Sequence, residues 1–308
     1  MSAIVHIGYH KTGTNWFQRH FYPHASSHTY IRRPVVRDAL LDVGAFKFDP
    51  SRAADILGLD DGVPSILCEE ELSGNIHTGG LAGCLSKDMA YRIHSVLPEA
   101  TVVIFIRNQV SMIASAYKQY VREGGTYNAE RYLNAPRYWH NSGFRPAKAP
   151  HFTFDHFDYL PLIRHYRDVF GAHQVRVYPF EQFVTDGEGF AQRFAEEQGL
   201  EVNWSAVRYE TVNAPYRSTA FRLAKMLNRF TYRDVAYKRY WINVPGLYRK
   251  QGKLLRALNR TRLAGSNLPP HKLLTPQQLE QINTRYRDSN RTLAELLELP
   301  LAELGYPV

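Results

Sequence analysis

Cysteine is nearly absent: Cys68 and Cys84 are the two in 308 residues, with fifteen positions between them. That excludes a disulfide framework and a CxxC zinc site, and it makes a reducing compartment the expectation. Long apolar runs are lacking too. The longest, Ala100 to Ile106 with Thr101 inside it, falls far short of the roughly 18 to 20 residues of a membrane-spanning helix. Strand-like sequence begins at Ala3, leaving no space for the basic, apolar and small-residue regions of a signal peptide. A cytoplasmic location is therefore expected. No repeat with a period of 20 to 50 residues occurs. What is present is ordinary globular composition, 44% hydrophobic, 13% aromatic and 22% charged, which excludes disordered, collagen-like and coiled-coil chains. At about 150 residues per domain the length admits two, yet α/β chains of this size often fold as one, and a single domain over 1–308 is expected.

Acidic residues are missing from one region. Between Tyr216 and Leu263 thirteen lysines or arginines face one acid, Asp234. That stretch carries +12, so by difference from the net +9 the rest of the chain carries −3. Phe221, Phe230, Tyr232, Tyr240, Trp241 and others are interleaved with the charges. Such a segment is either a solvated helical face or a surface for an anionic partner: a phosphate-rich cofactor, an acidic glycan, a lipid surface or nucleic acid.

Hydrophobic pattern gives the architecture. Residues 3–7 read as a buried strand, followed by a glycine-bounded loop and a helix from about Thr14 to Phe21 that ends near Pro23. Further buried strands are predicted at 65–68, 101–106 and 174–178. After the strand at 101–106, Val110, Ile113, Ala114, Tyr117 and Val121 share one helical face, ended by Gly124-Gly125. A helix at about 160–169 closes on Gly171, and Thr275-Pro276-Gln277-Gln278 has the capping-box form ahead of another. Alternating strands and helices imply a P-loop-like three-layer α/β/α fold with a central parallel sheet, plus a helical, basic C-terminal part. Residues 125–155 read as an insertion or lid. His20, His24 and His28 are four apart, but Pro23 interrupts any helix that would align them, and no metal site is expected.

Gly8 and Gly13 have the G-x-x-x-x-G spacing of a phosphate loop, but Thr14 and Asn15 stand where a Walker motif requires Lys and Ser or Thr. The lysine is inside the loop, at Lys11, aimed at the volume faced by the amides of Gly13, Thr14, Asn15 and Trp16 at the helix start. Ile7-Gly8-Tyr9-His10-Lys11-Thr12-Gly13-Thr14-Asn15-Trp16 resembles the 5′-phosphosulfate loop of sulfotransferases that use 3′-phosphoadenosine 5′-phosphosulfate (PAPS), with His10 for the usual Pro and Asn15 for the second Thr. In that family an Arg at a strand end and a Ser eight positions later hold the 3′-phosphate, and Arg107 and Ser115 match them. Asn108 fits the Arg-Asn/Asp-Pro turn, with Gln109 in place of Pro.

Other matches extend along the chain. Cys68-Glu69-Glu70-Glu71-Leu72-Ser73 resembles the Ser-x-Glu-x-Leu/Phe element of bacterial and glycan sulfotransferases, whose glutamate is the general base. Alignment on Leu72 and Ser73 selects Glu70, while Glu69 and Glu71 stay open as alternatives. Tyr178-Pro179-Phe180-Glu181-Gln182 resembles the strand and Tyr-Glu-Asp element on the adenine side, with Phe180 for Tyr and Gln182 for Asp. Arg249-Lys250-Gln251-Gly252 is similar to the Arg-Lys-Gly of the cytosolic branch. Ser289 to Ala294 and Leu304 to Pro307 are similar to bacterial sulfotransferase tails.

The resemblance implies in-line sulfuryl transfer from PAPS to a hydroxyl acceptor, a glycan or glycolipid first among them. Lys11, Thr12, Gly13, Thr14, Asn15 and Trp16 would bind the donor at its 5′ end and Arg107 and Ser115 at the 3′-phosphate. Lys11 would stabilise the leaving phosphate and Glu70 take the acceptor proton. A sulfuryl group carries less charge than a phosphoryl group, so no metal is expected. Two other readings compete: a P-loop nucleotide-dependent kinase, with Ser65 to Glu70 as its Mg²⁺-holding strand, and a non-enzymatic binder of nucleic acid or an anionic surface through 216–263. The segment has no zinc-finger or RNP-like motif, so specific nucleic-acid recognition is not expected. Peripheral contact of 216–263 with an anionic membrane at its inner face is the accessory role it suggests.

Overall fold

The computed structural model describes residues 3–59, 62–135, 150–210, 215–232 and 238–308. It is an α/β fold with a central parallel sheet flanked by helices and a helical C-terminal region. The chain divides into two compact units, one made of 1–108, 156–212 and 286–308, the other of 109–155 and 213–285. Most of the expected insertion or lid, 136–149, lies outside the described residues.

The first unit holds the sheet. Its five strands are β1 (Ala3–Gly8), β2 (Thr29–Ile31), β3 (Ser65–Cys68), β4 (Thr101–Ile106) and β5 (Val175–Pro179), in the order β2-β3-β1-β4-β5. All neighbours are parallel, with Ile4 paired to Ile66 on one side and to Thr101 on the other. Every residue of β1 and β3 is buried, as expected of central strands covered on both faces. β2 is a three-residue edge strand, too short and too exposed for an apolar pattern to announce it. The helix at Tyr159–Phe170 closes on Gly171.

One face of the sheet is packed by aromatic rings. Phe17, Phe21, Tyr22, Phe105, Phe190 and Phe194 form a single buried cluster, and edge-to-face pairs such as Phe17 with Phe21 at 5.4 Å set their geometry. Phe17 and Phe21 come from the segment read as one helix from Thr14. It is α-helical over Thr14–Trp16, widens into a π-type turn at Phe17–Phe21, and tightens to a 3₁₀ turn containing Pro23. His6 of β1 is sealed in this cluster, stacked on Phe105 at 4.9 Å, with its Nδ1 2.9 Å from the Tyr22 hydroxyl. Burial pulls its imidazole down from 6.5 to about 3. The unfolded chain binds a proton there below about pH 6.5 while the native chain does not, so this stabilisation is present above pH 6.5 and declines as pH falls towards 3. Denaturant unfolding between pH 7 and 5 should show declining stability, with a shallower slope in His6→Phe; an unchanged slope would show that His6 does not contribute.

The second unit, as described, is helical, with the longer helices at Gln109–Arg122, Ser218–Leu227 and Leu247–Asn259. Two buried amides lock it. Asn228 donates to the carbonyls of Val121 and Gly125 at 2.8 and 2.9 Å, and Gln251 donates to the Asn228 side-chain oxygen at 2.8 Å. These bonds tie the end of the Gln109–Arg122 helix and its terminating turn to the Asn228 and Gln251 side chains. Tyr117, Tyr120 and Tyr132 pack beside them, Tyr120 and Tyr132 stacked at 4.6 Å. The helix over Pro276–Leu297 begins with the expected reciprocal cap. Thr275 N–H donates to the Gln278 side chain at 2.9 Å, and Gln278 N–H donates to the Thr275 hydroxyl at 3.2 Å. Among the described residues no helix is long and apolar enough to cross a membrane.

Candidate functional site

In the first unit β1 and β4 are neighbours, but the chain proceeds from β1 towards β2 and β3 and from β4 towards β5. Connections leaving in opposite directions open a crevice beyond the carboxyl ends of these two strands, the place where open α/β sheets bind ligands. The Gly8–Gly13 loop follows β1 and Arg107 follows β4, so both reach this switch point from adjacent strands.

The loop is a tight structure that its glycines permit. Gly8, Lys11 and Gly13 have φ of 95°, 63° and 88°, the region that costs an L-residue and is free for glycine. A Cβ on Gly8 would come within 2.9 Å of the Glu70 Cα, so the bare glycine lets Glu70 lie against the loop entrance. A Cβ on Gly13 would stand 3.3 Å from the Phe180 ring. Tyr9 N–H donates to Phe105 O at 2.9 Å, continuing the β1–β4 contact past the strand. The hydroxyls of Thr12 and Thr14 both turn back onto Tyr9 O, the Thr14 bond being a long 3.3 Å. The first helical amides have no intrahelical acceptor. Among the described residues, those of Gly13, Thr14 and Asn15 make no hydrogen bond. Trp16 differs from expectation: its N–H donates to Gly13 O at 2.7 Å, closing the first turn. Its indole is core, donating to Arg208 O at 2.8 Å and lying 4.8 Å from the Phe183 ring.

The three consecutive glutamates have three environments. Glu69 is fully buried, gripped by Arg33 through Nε and Nη2 at 2.5 and 3.0 Å, and it caps the following turn through Glu71 N–H. Burial pushes its carboxyl up, and the Arg33 hydrogen bond opposes that. Glu71 faces His10 of the loop at 3.9 Å, and that interaction holds its carboxyl below the ordinary range. Glu70 begins the Glu70–Ser73 turn beyond β3. One of its oxygens accepts from Gln18 Nε2 at 3.2 Å, and the other lies 3.5 Å from Arg33 Nη1. Gln18 also donates to Cys68 O at 3.0 Å, which fixes the amide that orients the Glu70 carboxylate.

Arg107 is held from three sides. Its Nη1 donates to Lys11 O at 2.9 Å, its guanidinium lies over the Phe180 ring at 5.1 Å, and its own carbonyl accepts from Tyr159 Oη at 2.6 Å. Burial lowers the guanidinium pKa and nearby Glu181 opposes the shift. Glu181 accepts from Asn108 N–H at 2.9 Å and from Tyr306 Oη at 2.8 Å. Asn108 in turn donates through its side chain to Gly305 O. Gly305 and Tyr306 thus brace the turn after β4.

The loop, Glu70 and Arg107 all belong to the first unit, and Arg107 and Lys11 are in direct contact. Ser115 is on the Gln109–Arg122 helix of the second unit, half-buried. Gln251, read with Arg249 and Lys250, is the buried partner of Asn228. Sequence reading missed Gln18 and Arg33, and it named Phe180 on the adenine side without its contact with Arg107. Gln18 lies five residues past Gly13, in the π-type turn that continues the helix after the loop, a position from which a polar side chain returns to the loop's neighbourhood. Arg33 has no such local signal, because its partners Glu69 and Glu70 follow a different strand.

No protein-family profile and no curated protein matches the chain. Among solved structures, a sulfotransferase from Alicyclobacillus acidocaldarius is similar over 69% of this chain and 86% of that one, at 18% identity and a TM-score of 0.49. That is a distant, partial likeness to a sulfotransferase fold.

Proposed function

We propose that the chain is a PAPS-dependent sulfotransferase acting on a hydroxyl acceptor, a glycan or glycolipid by preference, with 1–308 serving as one transferase domain. The observation that carries this reading is the hydrogen bond from Arg107 to the Lys11 carbonyl, which joins the two motifs that would hold opposite ends of one nucleotide. The amides of Gly13, Thr14 and Asn15, without a partner among the described residues, suit the 5′-phosphosulfate, and the Arg107 fork suits the 3′-phosphate. Thr12 serves the loop's shape through Tyr9 O, and Trp16 the wall beneath it. Ser115 enters on sequence spacing alone.

In the reaction the acceptor oxygen attacks sulfur as the bond from sulfur to the bridging phosphate oxygen breaks. The acceptor proton passes to Glu70, and adenosine 3′,5′-bisphosphate (PAP) leaves. Lys11 and the loop amides stabilise charge on the departing oxygen. Glu70 is preferred over its neighbours because Glu69 is committed to Arg33 and Glu71 to His10.

The test is transfer of label from ³⁵S-PAPS to a panel of glycans, glycolipids and small alcohols without added metal, beside γ-labelled ATP with Mg²⁺. Sulfated product in the first supports the reading; label transferred only from ATP with Mg²⁺ replaces it with a kinase. Arg107→Ala should weaken PAP binding by about 10- to 100-fold, the worth of a charge-assisted phosphate contact, as read by calorimetry. An unchanged Kd would put the 3′-phosphate elsewhere.

A further inference from the structure

The second unit presents a surface that the transfer reaction does not use. Tyr240, Trp241, Ile242 and Val244 are consecutive but for Asn243, and they are 45%, 65%, 63% and 44% exposed. Large apolar side chains exposed together mark an interaction surface. Slack in the chain does not explain them, because the segment is pinned. Trp241 N–H donates to Arg229 O at 2.7 Å, Val244 N–H to Phe230 O at 3.0 Å, and Tyr232 N–H to the Asn243 side chain at 2.8 Å. Phe230 meets the Trp241 ring edge-on at 5.4 Å, and the Arg229 guanidinium covers it at 5.0 Å. The rigid result is a short apolar crest with polar anchors behind it.

Cations flank this crest. Arg229 and Arg239 are exposed on its own elements. The Leu247–Asn259 helix that follows buries Gln251 and Leu255 and exposes Arg249, Lys250, Lys253 and Arg256, with Leu254 57% exposed among them. We infer that this crest and the basic helix after it form a docking surface for an anionic lipid bilayer, with Trp241, Ile242 and Val244 entering the interface and the arginines and lysines meeting the headgroups. Charge alone would suit nucleic acid equally. The aliphatic tip decides for the bilayer: Ile242 and Val244 offer nothing to a phosphate backbone, whereas aliphatic and indole groups beside cations partition into the headgroup and acyl boundary. The inference stands on the second unit alone and holds or fails independently of the donor nucleotide.

The test is co-sedimentation of the full chain, without nucleotide, with vesicles of phosphatidylcholine alone or with phosphatidylglycerol added. Binding is expected to the mixed vesicles, to be weakened by salt, and to be absent with phosphatidylcholine alone. Ile242→Ser with Val244→Ser leaves the Trp241 stack intact and should lower the partition coefficient about tenfold or more, from the apolar area withdrawn. Trp241→Ala should lower it similarly, with circular dichroism unchanged for both variants. Equal association with both vesicle types, or wild-type binding by the double serine variant, would overturn the proposal. So would tighter binding to a DNA duplex that the serine substitutions leave untouched, which would make the surface one for nucleic acid.

Discussion

Lys11→Ala should lower sulfuryl transfer by about 10²- to 10³-fold or more, the loss seen when one donor to a developing oxyanion is removed. The side chain belongs to a loop whose shape is set elsewhere, by the left-handed Gly8 and Gly13, the Tyr9–Phe105 bond and the two threonine hydroxyls on Tyr9 O. Lys11 itself adopts φ of 63°, a conformation alanine shares at similar cost, and its carbonyl remains available to Arg107. The fold and the thermal midpoint should therefore be nearly unchanged. Because the charge to be stabilised appears as the bond to sulfur breaks, the loss should fall on kcat more than on donor affinity. Steady-state kinetics with labelled PAPS checks it, and a variant with wild-type kcat would remove Lys11 from the chemistry.

Glu70→Gln should cost about 10²- to 10⁴-fold in kcat, the range for a lost general base, while leaving PAP affinity unchanged. The substitution keeps the size of the side chain and an acceptor for Gln18, so the turn beyond β3 should hold. Glu69→Gln gives the contrasting result. That carboxylate is sealed against Arg33 and caps the turn, and removing its charge takes the closest counter-charge from a partly buried guanidinium, at about 3–5 kcal/mol for a fully buried pair and less here because Arg33 is partly exposed and keeps Glu70 at 3.5 Å. Glu69→Gln should chiefly lower the unfolding midpoint, and Glu70→Gln should chiefly lower turnover. Activity surviving in Glu70→Gln but lost in Glu71→Gln at unchanged stability would transfer the role of base to Glu71.

Much of this site was legible in sequence because its parts are local. A short, largely apolar strand, two glycines five apart and a helix start define the loop wherever they occur, and the Arg107 position follows from where the β4 pattern stops. The parallel sheet followed from alternation of strands with helical periods. What was not legible is set by distant partners. β2 is an edge of three residues with one buried, so its place depends on pairing with β3. The wide turn at Phe17–Phe21 follows from packing two phenylalanines into the aromatic cluster, which outweighs the regular helix that the local pattern favours. The consecutive glutamates share one neighbourhood in sequence, and they differ because Arg33, His10 and Gln18 arrive from other elements. Glu181, which the resemblance placed in an adenine-side element, accepts from Asn108 and Tyr306, partners that its local sequence does not reveal.

The central claim is that one nucleotide is held at both phosphate ends where β1 and β4 part. Calorimetric comparison of adenosine 3′,5′-bisphosphate with adenosine 5′-monophosphate on the unaltered chain tests it most directly, since the two ligands differ only in the 3′-phosphate. The bisphosphate is expected to bind at least about tenfold more tightly, as a charge-assisted phosphate contact requires. Equal affinities, or no binding of either nucleotide, would contradict the claim.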